Sequence, residues 1–534
     1  MNSLTHTRID VKRRSGFDKS FKNILTTKVG TITPLAYKLL IPNSDFSLSL
    51  AISAALPPLA SDTFMRCALK VEAFAVPLRL LYGGFTSWLT GEPIYEFSSG
   101  IKEARAKLPR ITLPSNQIGV GPTEPGSLAD YLGVRGSVLA DPDPNIDVNL
   151  NIFPFLCYHR IYDDWYRNRK VQMPLFGRPA DIGAEDDTAL KGYYELPYVA
   201  HSRIVSYPVD SSAGFLDLSS IFDLHQRNYG SVYFTEAMPT ATFGDAQKVT
   251  IDGSNQFTIS ALRAANAMET FELKNNLSSP ALQDYCLVNY GAHLSSGVAQ
   301  RAIYLGSASY DVYSKGVTAQ ADSTPTNNPC GSVGARYGNA FAAGSDFVVK
   351  GHVDEPCYLM VVATLVPEAN YSTGLKHDLM IFTEEGSLMD LPNPAFELIG
   401  NEPVYSSELG DVRGGQEGYK EVVFAWQKRY MWHKTSINEV HGLLREGGSL
   451  ESFVAQRALH ESVLGSDFLK IATDDLDNVT AVTADLSSYG VWIDSYIKLH
   501  VSEPLGESAL PSLVDPAAEH GDSIYIRNNG SRIA

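Results

Sequence analysis

The segment NIFPFLCYHRIYDDWYRNRK, residues 151–170, groups side chains that suit three different roles. His159 and Asp163 are four residues apart, so on a helix they would share one face, as a catalytic base and its orienting carboxylate must. Cys157 is the nearby nucleophile, but it lies on a different side of the helical turn. The aromatic rings and the Arg and Lys residues could instead stack on bases and bind phosphates. The third role is that of a helix that only braces a larger fold.

The hydrophobic spacing of this segment favours the bracing helix. Pro154 has the fixed φ and the missing backbone donor that suit the first helical turn. The large apolar side chains recur at helical spacing and predict one buried face, formed by Phe155, Tyr158, Tyr162 and Trp165. The polar positions that fall largely elsewhere are Arg160, Asp163, Asp164 and Arg167.

No other motif predicts a catalytic, cofactor or metal site. GVGPTEPG, residues 119–126, follows no convincing strand and opens no helix, as a dinucleotide-binding loop would. DPDPNID, residues 141–147, begins like a calcium loop, but Ile146 and Ile152 stand where that loop needs glycine and glutamate. The patterns HExxH, GxSxG and GxxxxGK[ST] do not occur. The five cysteines form no CxxC pair, which predicts reduced, buried thiols.

FAWQKRYMWHK, residues 424–434, is a second candidate for contact with unpaired bases, because aromatic rings are interleaved with cations. As a strand, it would place Trp426, Lys428, Tyr430 and Trp432 on one face and Arg429 on the other. The cations are therefore divided between the faces. A structural strand with a few exposed charges is the competing interpretation.

Charge is distributed unevenly along the chain. The formal net charge is −17, which argues against general nucleic-acid binding. Residues 1–28, however, hold seven Lys or Arg against two Asp. Such a basic arm is typical of chains that meet phosphate or an acidic partner, and a solvated terminus is the alternative. No apolar segment follows the basic residues, so we expect no signal peptide.

The rest of the sequence predicts a mainly β protein. DFSLSLAIS, residues 45–53, alternates apolar with small residues, as a strand buried on one face does. The 42 Gly and 29 Pro are spread along 534 residues and indicate many turns. Two further helices are predicted, at residues 258–277 and 448–464. No apolar run is long enough to span a bilayer, so we expect no membrane insertion.

The domain organisation follows from the same pattern. Strands at both ends with long loops between them, and no internal repeat, predict one elaborated β-sandwich. We expect a basic N-terminal arm at residues 1–28 and a single domain at residues 29–534. Large loop insertions are predicted at roughly 83–345 and 367–418.

Six segments, taken in order, resemble the major capsid protein of the microviruses, the small icosahedral single-stranded DNA phages. They are SGFDKSFKNILTTKVGTITPLAYKLLIPNSDFSLSL (15–50), MRCALKVEAFAVPLRLLYGGFTSWLTG (65–91), LNIFPFLCYHRIYDDWYRNRKVQ (150–172), YGSVYFTEAMPTA (229–241), TISALRAANAMETF (258–271) and KRYMWHKTSINEVHGLLRE (428–446). In the third segment the matching residues are Pro154, Phe155, Tyr158, Ile161, Trp165 and Arg167. Each motif is weak alone, but six in the right order are specific.

The resemblance implies an eight-stranded antiparallel jelly roll with long elaborated loops and a few short helices, in which the helix of the third segment is architectural. It implies a structural protein and not an enzyme. About sixty copies would self-assemble into an icosahedral shell around a circular single-stranded DNA genome. The chain would be part of the virion and would be assembled in the host bacterial cytoplasm.

The resemblance also implies the partners. These are further copies of the chain, the DNA genome, a small basic DNA-packaging protein, a scaffolding protein, a pilot protein and a host surface receptor, with no cofactor. The residues predicted to contact DNA or the packaging protein are Arg8, Lys12, Arg13, Arg14, Lys19, Lys22, Lys428 and Arg429.

Two points qualify the resemblance. The resemblance is to the gokushovirus-like branch of the family, which has a long insertion at the threefold axes. Here only residues 240–257 occupy the corresponding place, so we expect no tall threefold spike. Because the chain is rich in Tyr and Trp, a carbohydrate-active or carbohydrate-binding jelly roll is the alternative function.

Overall fold

The fold is given by a computed structural model that describes most of the chain between residues 14 and 505. The described residues are 14–61, 63–82, 85–91, 94–95, 102–103, 108, 110–114, 118–120, 123–135, 147–172, 204–206, 221–239, 263, 267–268, 271, 282–295, 300–318, 336–382, 388–397, 401–410, 422–457, 459, 464–481 and 490–505.

Strands dominate the described residues. They are β1 (Ser15–Asp18), β2 (Phe21–Thr27), β3 (Thr33–Leu40), β4 (Ser44–Ala55), β5 (Cys67–Pro77), β6 (Ile94–Tyr95), β7 (Lys102–Glu103), β8 (Arg110–Pro114), β9 (Asp147–Asn151), β10 (Ile204–Ser206), β11 (Ile303–Asp311), β12 (Tyr313–Thr318), β13 (Arg336–Val353), β14 (Cys357–Pro367), β15 (Asn370–Tyr371), β16 (Asn401–Tyr405), β17 (Val423–Lys428), β18 (Asn438–Glu439) and β19 (Val491–Glu503).

The described helices are short. The α-helices are α1 (Phe85–Thr90), α2 (Leu128–Tyr131), α3 (Phe153–Ile161), α4 (Leu282–Tyr290), α5 (Pro394–Glu397), α6 (Met431–Lys434) and α7 (Ser466–Leu469). A π-turn at Tyr162–Tyr166 continues α3. Single 3-10 turns lie at Leu78–Leu80, His377–Leu379, Leu388–Asp390, Ser406–Leu409, Gly442–Leu444 and Glu451–Phe453.

Two antiparallel sheets form the body of the protein. Sheet I has the order β1-β19-β4-β13-β12, and β2 also pairs with β19. Sheet II has the order β11-β5-β14-β3. Side chains from both sheets meet in one apolar core, among them Leu48 and Ile497 of sheet I and Leu69 and Val361 of sheet II. The mainly β architecture predicted from the sequence is confirmed, and the two facing sheets are compatible with a jelly roll.

The sandwich holds more strands than eight, because the N-terminal segment adds to its edge. β1 pairs with residues 500–503 of β19, and β2 pairs with residues 491–497, so the two lie end to end along one side of that strand. Residues 15–27, which the sequence analysis placed in the basic arm, are thus part of sheet I. Residues 1–13 lie outside the described residues.

The two sheets differ in how many faces they bury. In β4 and β19, buried residues alternate with more exposed ones, so sheet I has one face in the core and one in solvent. In β14, ten of the eleven residues are buried. Sheet II therefore lies between the core and a second apolar cluster, which contains α3 and residues of β5 and β14. We call the solvent-facing side of sheet I the open face.

Two sequence predictions about helices need comment. The helix predicted at 448–464 is wrong over its described part, which holds the 3-10 turn at Glu451–Phe453 and then non-helical backbone. The reason is tertiary: Arg457 is buried, its backbone N–H donates to Asn370 O (3.0 Å), and its guanidinium donates to Tyr371 Oη (2.8 Å). The helix predicted at 258–277 lies outside the described residues except for isolated positions.

The burial of β5 predicts the effect of core truncation. Leu69 is fully buried between the sheets. We expect Leu69→Ala to lower the free energy of unfolding of the unassembled chain by about 2–5 kcal/mol, because apolar contacts are lost and a cavity is left. The exposed Leu379→Ala is the matched control and should change it by less than about 0.5 kcal/mol in urea unfolding. Equal effects from the two variants would contradict the assignment of the core.

Candidate interaction surfaces

The helix predicted in residues 151–170 exists and braces sheet II. Pro154 lies in its first turn, where no intrahelical donor is lost. In the second apolar cluster, side chains of the helix pack with side chains of sheet II. The helix contributes Phe155, Tyr158 and Ile161, and sheet II contributes Phe74, Tyr358 and Met360. The Tyr158 hydroxyl also donates to Ile32 O at 2.7 Å. The pattern predicted one buried face, but eight of the nine residues of α3 are buried, since the helix lies under further insertion segments as well.

The end of this helix departs from the predicted face. The Arg167 N–H donates to Tyr162 O (3.0 Å), a π-turn that shifts the following side chains around the axis. Trp165, expected on the buried face, is 38% exposed and donates from Nε1 to Ala302 O (2.9 Å). Asp163, expected elsewhere, is buried and forms an ion pair of 2.7 Å with Arg167.

His159 is held in a buried polar contact that does not resemble a catalytic site. Its Nε2 lies 2.9 Å from Ile221 O, which can only accept, so Nε2 carries the proton. Its Nδ1 then accepts from His225 Nε2 at 2.7 Å. The His225 ring is stacked between Tyr158 and Tyr162, with centroids 5.6 and 4.0 Å away. Burial lowers the pKa of His159 to about 4, so the ring is neutral at pH 7.

Of the predicted DNA contacts in the arm, the described ones form ion pairs at the edge of sheet I. Arg14 meets Asp45 at 2.6 Å, Lys19 meets Glu503 at 2.7 Å, and Lys22 meets Asp494 at 2.9 Å. Arg8, Lys12 and Arg13 lie outside the described residues.

The other two predicted contacts, Lys428 and Arg429, lie where β17 ends. The strand stops at Lys428 because Tyr430 adopts a left-handed conformation (φ 62°), after which α6 begins. The expected single face of Trp426, Lys428, Tyr430 and Trp432 is therefore wrong. Lys428 is exposed, while Arg429 is half-buried beside the Tyr430 ring, 5.9 Å from its centroid. Within the described residues, no group of His, Cys, Asp or Glu is arranged to hold a metal ion.

The structure adds an apolar surface that the sequence pattern did not predict. We call it the apolar loop cluster: Leu379, Phe382, Leu388 and Leu391, which are 60–88% exposed. The Phe382 N–H donates to Asp390 Oδ2 (3.2 Å), which ties the two ends of the loop together. The sequence does contain a signal for this surface. In SLMDLPNP, apolar residues lie within a segment rich in turn-forming residues, which predicts an exposed apolar loop.

The open face of sheet I is the second surface that the structure adds. Its large exposed side chains include Ile24, Tyr313, Phe341, Val348, Trp492 and Tyr496. The strand register sets three rings in one row, since Tyr313 is opposite Phe341, and both Phe341 and Trp492 are opposite Ala55. A solvent-facing sheet normally presents polar residues here, so this face is suited to a binding partner.

Comparison with known proteins identifies the family of the chain. The family model described as "Capsid protein (F protein)" matches residues 7–506, which is most of the chain. The chain belongs to this capsid protein family. Family membership selects the capsid interpretation over the carbohydrate-active alternative and confirms the resemblance noted in the sequence.

Two curated relatives are similar over most of their length. The chain is 23% identical to capsid protein VP1 of Chlamydia phage 1 over 567 aligned residues, which cover 88% of the chain and 91% of the relative. It is 20% identical to capsid protein VP1 of Bdellovibrio phage phiMH2K over 470 residues, 81% of the chain and 82% of the relative.

The family defines a structural role at a coarse level. A capsid protein is a component of the virion, and its copies self-assemble into a shell. No helix in the described part of the chain is long and apolar enough to cross a bilayer.

The buried histidine pair predicts a pH dependence of stability. In the unfolded chain the pKa of His159 is about 6.5, and in the fold it is about 4. The unfolded state therefore binds more protons between these values, so the contribution to stability is complete above pH 6.5 and is lost as the pH falls towards 4. The loss is on the order of 3 kcal/mol at full protonation, and the lowered pKa of His225 acts in the same direction.

Urea unfolding of the unassembled chain at pH 7 and pH 5 measures this effect. The control is His441→Gln, which removes an exposed histidine and should leave the difference unchanged. A wild-type stability that is flat between pH 7 and pH 5 would show that the pair is not neutral and buried.

Proposed function

We propose that the protein is a non-enzymatic major capsid protein, about sixty copies of which close an icosahedral shell around a circular single-stranded DNA genome. The family supports the structural role. The chain would be assembled in the host bacterial cytoplasm. A small basic packaging protein, a scaffolding protein and a pilot protein would join the assembly, and a host surface receptor would bind the finished shell.

The apolar loop cluster is the observation that carries self-assembly. Each Leu or Phe side chain gains about 1.5–3 kcal/mol when it moves from water into an apolar contact. The side chains of Leu388 and Leu379 are 88% and 72% exposed in the single chain, so most of this free energy is available for contact with another subunit. Closed symmetry repeats one set of contacts many times, so a modest apolar contact per subunit is sufficient for a stable shell.

Genome enclosure needs positive charge that the chain as a whole does not have. With a net charge of −17, the chain as a whole repels DNA at long range. The basic residues Arg8, Lys12 and Arg13 can supply local contacts with phosphates or with a packaging protein. Arg14, which the structure describes, forms an ion pair with Asp45.

Removing the apolar loop contacts should weaken assembly without unfolding the chain. We expect Leu379→Ser with Leu388→Ser to shift the protein from megadalton shells to small capsomers in sedimentation velocity, alongside its scaffolding partners. The matched control, Leu379→Met with Leu388→Met, keeps the apolar surface and should still form shells. Normal shells from the serine variant would remove the loop cluster from the assembly interface.

The basic arm is tested by DNA content. We expect Lys12→Ala with Arg13→Ala to reduce the nucleic acid retained per shell while empty shells still form, since phosphate contacts are lost. Arg14→Ala alone is the comparison variant, because it breaks the ion pair with Asp45 at the sheet edge. Wild-type DNA content in the double variant, measured by the ratio of absorbance at 260 and 280 nm, would rule out this role for the arm.

A further inference from the structure

We propose that His377 and Glu408 form a pH-dependent latch, which holds the apolar loop cluster in the position it needs for subunit contact. This inference rests on the self-assembly proposed above and concerns the regulation of the same loop. The latch is closed when His377 carries a proton and is weaker when it does not. His377 is a positioning residue, because it acts through the placement of Leu379 and Phe382.

The segment that carries the loop cluster is docked on the 3-10 turn at Ser406–Leu409. The Leu375 N–H donates to Ser407 O at 2.9 Å. Gly374 packs against the backbone of the same turn so closely that no side chain would fit there. The turn at His377–Leu379 follows directly. The way in which this segment docks therefore sets where the exposed leucine at its end lies.

One side-chain pair joins the loop to the docking turn. His377 Nδ1 donates to Glu408 Oε1 at 3.1 Å, since a carboxylate can only accept. The same oxygen accepts the Tyr405 N–H at 3.0 Å, which holds the carboxylate at the start of the turn. The side chain of Glu408 is 2% exposed and that of His377 is 13% exposed. In so shielded a place, a charge on one partner acts strongly on the other.

The imidazole of His377 is also stacked on an indole ring. The centroids of His377 and Trp432 are 5.1 Å apart, and the angle between the two planes is 26°. Trp432 belongs to α6, and at the start of that helix the N–H groups of Tyr430 and Met431 donate to the buried carboxylate of Glu402. An aromatic face favours a protonated imidazole over a neutral one, so the stack supports the closed latch.

The titratable and charged groups around His377 come from every element packed against it. They are Lys376 and Asp378 on its own turn, Asp390 in the loop, Glu402 and Tyr405 of β16, Glu408 on the docking turn, Arg429 after β17, His433 of α6, and Tyr233 and Glu439. Lys376 is paired with Glu439 at 3.0 Å. Burial lowers the pKa of His377, but the hydrogen bond and the charge of Glu408, helped by Glu402 and Asp378, raise it above the usual 6.5.

The direction of the pH dependence follows from this charge balance. A histidine whose pKa is raised in the docked state stabilises that state fully below pH 6.5, and the contribution is lost as the pH rises through the raised pKa. The neutral ring still donates a hydrogen bond, but the buried Glu408 carboxylate then has no counter-charge from His377. Each unit by which the pKa is raised changes the docking equilibrium about tenfold. Assembly should therefore weaken in alkali.

The first measurement is the fluorescence of Trp432 in the purified, unassembled full-length chain between pH 6 and pH 9, taken as the difference between the wild type and W432F. A protonated imidazole quenches a stacked indole more than a neutral one does, so we expect the signal to rise with a midpoint above pH 6.5. H377N keeps a donor but cannot be charged, and should give no step. The control is H433Q, which removes the other histidine beside Trp432, with ring centroids 5.6 Å apart, and should keep the step.

The second measurement is shell formation in sedimentation velocity over the same pH range, alongside the scaffolding partners. We expect the wild-type shell fraction to fall in the range where the Trp432 signal rises, and H377N to give the alkaline level at every pH. E408Q removes the charge that favours the proton on His377, so it should shift the fall to lower pH. H352Q, which breaks another histidine–carboxylate pair, with Asp45 at 2.6 Å, should behave as the wild type.

Two outcomes would overturn the inference and leave the capsid role intact. One is a Trp432 signal without a midpoint above pH 6.5. The other is a wild-type shell fraction whose pH dependence is unchanged in H377N, or in E408Q should H377N not fold. If the wild type forms no shells at any pH, the proposed function fails and the role of the latch in assembly fails with it.

Discussion

The organisation of this protein depends on one constraint: sheet II must be covered on both faces, whereas sheet I need be covered on only one. β14 reads CYLMVVATLVP and has no charged residue, so neither of its faces can be left in water. β19 reads VWIDSYIKLHVSE, and its buried residues alternate with more exposed ones. The two sheets share the core, but only sheet II requires a second layer. The insertion that contains α3 supplies that layer.

This difference separates the surfaces by function. In the insertion that covers sheet II, the large apolar residues pack against the sheet. Phe155 and Tyr158 of α3 are buried against β5 and β14. The aromatic residues of the open face and the leucines around Leu388 are exposed, so the described part of the chain does not bury them. In a protein whose copies form a shell, such surfaces are the ones left for other molecules.

The parts of this arrangement that could be predicted from the sequence are the local ones. The alternation in residues 45–53 predicts β4, and Pro154 with the spacing of Phe155 and Tyr158 predicts α3. The π-turn that exposes Trp165 could not be predicted, since it depends on where Ala302 and Arg167 lie in the fold. The open face could not be predicted either, because it depends on the register of β13 and β19 against β4. The pairing of β19 with β4 joins residues almost 450 positions apart in the sequence. The capsid role came from the order of six motifs and not from any chemistry visible in one of them.

The polar groups buried around α3 fix the position of this helix on sheet II. Apolar contacts favour burial but do not fix the position of a helix on a sheet, because they have little directionality. Asp164 accepts from Arg160 Nε at 2.7 Å and from the Ala302 N–H at 2.9 Å, and His159 links Ile221 to His225. The contacts with Ala302, Ile221 and His225 are satisfied in only one placement of α3 relative to residues 221–225 and 302. A shell repeats any error in one subunit at every symmetry-related contact, so the loops must be held at one position. The hydrogen bonds of Asp164 and His159 provide that constraint. They also bury His159, which can be protonated at low pH.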